Sequence, residues 1–205
     1  MTEAIFDKER AGFFDNLADS WDSFEQPAGR QIEAFLDKVV LRPGHVVLDV
    51  GTGTGMLIPH IFRFDPARIL ALDLSARMLE RVNAKYGAIY GGKLIMLQGD
   101  LHRLELEDGS VNAAICNGVY PHFYDKALAL NRLFRLLKPG GVLAVNHFSG
   151  KGFVNSIHQS SANDRIRGDI LEPVAELAEK AENTGFTVRE AIDNEREYRL
   201  IAGKP

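Results

Sequence analysis

The chain has 205 residues, 45% hydrophobic and 25% charged, with a formal net charge of −4. That is enough for one ordinary globular core, and it excludes the disordered, fibrous and disulfide-scaffold classes. The single cysteine, Cys116, excludes an internal disulfide and a cysteine-rich metal site and fits a reducing compartment. The densest basic spot is Arg165 to Arg167, so nucleic acid is not expected as the partner. No apolar run approaches the roughly 20 residues that cross a bilayer. The first residues carry acids rather than the apolar core of a secretory signal. A cytoplasmic protein without membrane insertion is the expectation.

Residues 13–22 place apolar side chains at Phe13, Phe14, Leu17, Ala18 and Trp21, a helical stripe. A second amphipathic helix is read over 29–40 from Ile32, Phe35, Leu36, Val39 and Val40, ended by Arg42-Pro43-Gly44. The apolar run 46–50 is a strand, followed by a glycine-rich turn and a helix from about 54 to 63, with Pro59 inside it. A second strand spans 68–73. A helix follows over 75–86 with Ser75 as its cap, then strands over 94–98 and 111–116. A helix over 125–137 stops at Lys138-Pro139-Gly140-Gly141, and a fifth strand covers 142–146. Residues 148–171 are polar and irregular, with a short helix near 155–160. A helix over 173–183 and a hairpin of 186–192 with 197–202 end the chain. Alternating strand and helix imply a Rossmann-like, doubly wound α/β fold. Its seven-stranded sheet is mostly parallel and closes with an antiparallel hairpin.

The turn after the first strand is the most informative stretch. It reads Asp49-Val50-Gly51-Thr52-Gly53-Thr54-Gly55. Glycines let a backbone approach a ligand where a Cβ would collide. A dinucleotide fingerprint requires its third glycine at position 56, which is Met56. An acid beside the turn repels a pyrophosphate and suits an ammonium. The segment resembles motif I of the class I methyltransferases that use S-adenosylmethionine (SAM), in particular those of type 11.

The resemblance covers about 29–147 in register and the tail in outline, and it implies a single domain over 1–205. Within that domain, 1–28 is a lid segment, 29–147 the SAM-binding core, 148–171 the acceptor-side loop and 172–205 the closing helix and hairpin. The implied cofactor contacts are Gly51, Gly53 and Gly55 at the turn, with Asp49 toward the amino acid head of SAM. Asp73, 22 positions after Gly51, is the acid for the ribose hydroxyls, and Leu74 packs on the adenine. Asp100 and Leu101 are the implied adenine contacts, and Asn117 faces the methionine part.

The implied activity is transfer of the methyl group to a small-molecule acceptor by in-line displacement. The catalytic candidates are His122 and His147 as bases and Tyr120 facing the sulfonium or the acceptor. Asn155 and His158 fall on one helical face beside them, and no metal site is expected. Two other readings stand beside this one: a non-catalytic SAM-binding or interaction module, and an aminopropyl transferase on the same fold. Asp49, by holding the amino acid head, argues against the last.

Overall fold

The structure is a computed structural model and describes residues 7–24 and 26–205. The first six residues of the expected lid lie outside the described residues. Seven strands form one sheet in the order β3-β2-β1-β4-β5-β7-β6. The strands are β1 (Val46–Val50), β2 (Arg68–Asp73), β3 (Leu94–Gln98), β4 (Val111–Asn117), β5 (Leu137–His147), β6 (Thr187–Asp193) and β7 (Tyr198–Gly203). The first five pair in parallel, and β7 joins β5 and β6 antiparallel.

Strand alternation sends successive side chains to opposite faces, so β1 feeds two cores. Leu48 and Val50 join the core beneath α6 (Lys126–Leu136) and α9 (Val174–Thr184), where Leu133 and Leu177 are buried. Val47 joins the opposite core beneath α2 (Gly29–Val39) and α3 (Ile58–Phe62), where Phe35 and Ile61 are buried. The strand order reverses between β1 and β4. In such sheets the ligand crevice opens beyond the C-terminal strand ends at that reversal.

Several elements depart from the sequence reading. The helix expected over 54–63 is only Ile58–Phe62. Gly51, Gly53 and Gly55 all have positive φ, so the chain cannot become helical before it leaves them. Pro59 therefore sits in the first turn of α3, where it costs no hydrogen bond. The stripe over 13–22 is not one helix. Asp7 caps α1 (Lys8–Leu17) through a 3.0 Å bond from the Arg10 amide, and Trp21–Ser23 forms a separate 3₁₀ turn. Helix α4 (Ala76–Val82) passes through a π turn at Asn83–Gly87 into α5 (Ala88–Tyr90). The Lys138–Gly141 turn lies within β5 as an excursion, since Val111 pairs with Leu137 and Ala113 with Val142. The segment 148–171 is mainly helical, as α7 (Lys151–Gln159) and α8 (Asp164–Arg167).

Candidate active site

A cavity of about 1080 Å³ opens beyond the C-terminal ends of β1, β2 and β4. One wall is the glycine turn. A Cβ on Gly51 would lie 2.5 Å from Val119 Cγ2, so the loop after β4 packs directly on the bare turn. Gly53 lies under the Trp21 indole, whose Nε1 would be 3.4 Å from an added Cβ. Gly55 is structural: a Cβ there would meet Ile58 and Tyr86 at 2.9 Å, and the residue does not line the cavity.

Asp73 lies on the cavity wall at the end of β2. Its Oδ2 accepts the Gly53 amide at 2.8 Å and its Oδ1 the Ser75 amide at 2.9 Å. A carboxylate offers about four acceptor positions, so two backbone donors leave capacity for a diol. Burial pushes its pKa up to about 6, and the Asp15 carboxylate adds to this, against the lowering by those amides.

Asp100, at the end of β3, also lines the cavity. Burial alone would raise its pKa, but the His102 ring and amide, both bonded to Oδ1 at 2.6 and 2.9 Å, hold it below the usual carboxylate range. Leu74, Leu101 and Asn117 complete this half. Asn117 Oδ1 accepts 2.8 Å from Asn146 Nδ2.

Asp49 is placed differently from the reading of its sequence position. It is buried behind the turn, accepts 2.7 Å from Thr52 Oγ1 and does not line the cavity. Burial first, and then Asp73, raise its pKa to about 6 against the Thr52 bond. It organises the turn, so it gives no argument between SAM and a decarboxylated analogue.

The three catalytic candidates also separate. Tyr120 is fully buried, its hydroxyl donates 2.7 Å to Glu172 Oε1, and it is not on the cavity wall. His147 is buried at the end of β5 and reaches only a smaller adjoining recess of about 250 Å³, shared with His158. Burial, with His122 and His158 nearby, lowers its pKa to about 3, far from the range useful to a base near neutral pH. His147 Nε2 has no hydrogen-bond partner among the described residues.

His122 does line the main cavity. Its Nδ1 lies 2.6 Å from Asp169 Oδ2, so it donates there and Nε2 is left as the acceptor nitrogen. Burial lowers its pKa, and His158 and Arg10 lower it further, while Asp169 opposes them. The imidazole is thus neutral at pH 7, and the Asp169 carboxylate orients it. The segment carrying Asp169 is fixed by α7. His158 Nδ1 donates 2.6 Å to the Asp169 carbonyl, and Asn155 makes two bonds to the Leu171 backbone at 2.8 and 3.0 Å. His122 and His158 stand 4.9 Å apart by ring centroid. Asp169 and Arg10 fall within the expected acceptor-side loop and lid segment, but neither was singled out as a site residue, because their contact spans 159 residues.

Family comparison matches residues 48–145 to the family described as a methyltransferase domain. An O-methyltransferase of Pyrenophora dematioidea is 25% identical over 205 residues, 99% of this chain and 77% of the relative. A methyltransferase of Mycobacterium bovis is 33% identical over 126 residues, 60% of this chain. This chain spans 62% of that relative's length. In fold, a chain of the complex between the Haloferax volcanii Trm112 methyltransferase activator and a methyltransferase has a TM-score of 0.80 at 21% identity. The match covers 95% of this chain and 97% of that one. Phosphoethanolamine N-methyltransferase 2 of Haemonchus contortus, in complex with phosphomonomethylethanolamine and S-adenosylhomocysteine (SAH), has a TM-score of 0.78 at 18% identity. That match covers 96% of this chain and 59% of the neighbour. Residues 48–145 thus match a methyltransferase domain, and the seven-stranded fold and the glycine turn are those of the class I SAM-dependent methyltransferases. Its cofactor is therefore SAM. No helix among the described residues is long and apolar enough to cross a membrane.

Proposed function

We propose that this enzyme methylates a small, largely apolar acceptor through a protic oxygen or nitrogen, with His122 as the general base. The observation that carries the reading is the His122–Asp169 pair on a cavity wall that also carries the aromatic side chains Phe14, Phe123, Phe148 and Phe153.

The residues present fit the cofactor. Asp73 keeps spare acceptor capacity beside the bare backbone of Gly53, and Asp100, Leu101 and Leu74 lie beyond it. We assign Gly51, Gly53, Asp73, Leu74, Asp100, Leu101 and Asn117 to hold it. When bound, SAM supplies a methyl group on a sulfonium whose positive charge activates the leaving group. The protein contributes alignment, exclusion of water and a place for the acceptor's proton. His122 takes that proton on Nε2, and Asp169 fixes the ring and stabilises the imidazolium that results.

The cavity size supports a small acceptor. Pockets for one drug-sized ligand run to roughly 300–1,000 Å³, so about 1080 Å³ holds a cofactor and a modest second molecule. The charges support an unphosphorylated one. Among the described residues no lysine lines the cavity, Arg10 is bonded to two carboxylates, and the exposed Arg196 lines it beside the acid Glu195, so no concentrated positive charge faces the acceptor. The test is turnover, followed as SAH release, over a panel of apolar phenols and amines and their phosphorylated counterparts. Turnover of the apolar members, lost in His122→Asn, is expected. Preference for the phosphorylated members would overturn the reading.

A further inference from the structure

Helix α1 is docked in an unusual way. Its aromatic stripe does not enter the core: Phe13, Phe14 and Leu17 are only partly buried and face the cavity. The buried residues of the helix are Arg10 and Ala11. An arginine is rarely buried unless it is paired. Here Nη1 lies 2.5 Å from Asp7 Oδ2 and Nη2 lies 2.7 Å from Asp169 Oδ1. Polar contacts therefore hold both ends of the helix, and they lead to different halves of the site.

The C-terminal half leads to the cofactor residues. Asp15 Oδ1 accepts from Ser75 Oγ at 2.5 Å and from the Arg77 amide at 3.1 Å. Ser75 in turn donates its own amide to Asp73. Just past the helix, Asp22 accepts 2.6 Å from Thr54 Oγ1 and pairs with Lys85 at 2.5 Å, while Trp21 covers Gly53. The N-terminal half leads to the base, because Arg10 holds the Asp169 oxygen that His122 leaves free. Phe14, between the two anchors, packs edge-on to the His122 ring at 5.2 Å.

We propose that α1 is a strut that couples the two half-sites: occupation of the cofactor half seats the helix, and the seated Arg10 fixes Asp169 against His122. Arg10 is then a positioning residue and Asp15 its counterpart on the cofactor side. The inference rests on the reading of His122 as base for its catalytic meaning. The mechanical coupling stands or fails separately. A helix whose apolar side chains face a ligand cavity gains most of its docking contacts when that cavity is filled. Coupling of this kind is reciprocal and commonly amounts to about five- to 150-fold in affinity.

The test needs no acceptor. The His122 imidazole is followed by ¹⁵N NMR, assigned by its absence in His122→Asn, through a pH titration with and without SAH. The groups facing it are Asp169, Arg10 on α1, His158 on α7 and His147 on β5. In the wild type, SAH shifts the His122 midpoint and locks the proton on Nδ1. In Arg10→Met that response disappears and SAH binds about fivefold or more weakly. Asp15→Asn, which touches neither His122 nor Asp169, reduces the same response from the far end of the helix. It also carries the test if Arg10→Met does not fold. An SAH response of His122 that is equal in the wild type and Asp15→Asn would overturn the coupling. Unimpaired turnover in His122→Asn would instead remove the base reading and leave the coupling intact.

Discussion

Replacing Asp73 by Asn separates a cofactor ligand from a strand-end acid. The carboxylate accepts the Gly53 and Ser75 amides, one on each oxygen. An Asn side chain keeps one acceptor oxygen and turns an NH₂ group toward the other amide, so two donors face each other. It also loses the charge. Hydrogen bonds to a charged group contribute about 1.5–3 kcal/mol each, and a buried donor left unpaired costs about 1–3 kcal/mol. Two weakened ribose contacts then remove about 2–4 kcal/mol of binding, a loss of roughly 30- to 1,000-fold in SAH affinity. Calorimetric titration with SAH measures this directly, with circular dichroism to establish that the variant is folded. Asp100→Asn is the graded control. His102 already takes one Asp100 oxygen with two bonds, so about tenfold is expected there. An Asp73→Asn protein that folds and binds SAH within about threefold of the wild type would refute the assignment of Asp73 to the ribose.

Further outcomes follow from the same geometry. The raised pKa of Asp73, about 6 in the free protein, makes SAH affinity fall as pH drops through 6. Asp73→Asn flattens that dependence in a titration series from pH 8 to pH 5. His122→Asn lowers kcat by about 10²–10⁴. Because the His122 pKa lies below the ordinary histidine value, the acid limb of the wild-type profile falls below pH 6.5. Gly51→Ala, with φ of 66° and a 2.5 Å clash on Val119, loses about 2 kcal/mol or more of stability, read as a lower urea midpoint. His147, neutral in the fold down to about pH 3, is charged in the unfolded chain below about pH 6.5. Its contribution is thus lost as pH falls between those values. His147→Phe should lose about 2 kcal/mol less stability than the wild type between pH 7.5 and pH 5 in urea unfolding. Asp49 and Asp73, with raised values, act in the opposite direction but cancel in that comparison.

The parallel strands were legible because each contains a short apolar run with a polar residue at or near its end. The structure ends β2 at Asp73 and β4 at Asn117, where strand-end groups meet the cavity. The glycine spacing at 51, 53 and 55 was equally legible as a cofactor turn, although only two of the three glycines line the cavity. What failed was assignment by proximity in the chain. Asp49 sits two residues from Gly51 yet points behind the turn, because the alternation of β1 directs its side chain away from the crevice side. Tyr120 sits beside His122 but turns inward to Glu172, 52 residues away. The site's most informative ion pair joins Arg10 to Asp169 across 159 residues, and no local spacing encodes such a contact. It joins α1, which crosses the cavity, to the 169–171 segment that α7 pins.

Methyl transfer to a small acceptor at the His122 wall is the activity proposed for this enzyme. Its most direct test supplies SAM labelled in the methyl group, together with extract separated into protein, nucleic acid and low-molecular-weight fractions. Label is expected in the low-molecular-weight fraction and is lost with His122→Asn. Label in the protein or nucleic acid fraction would contradict it.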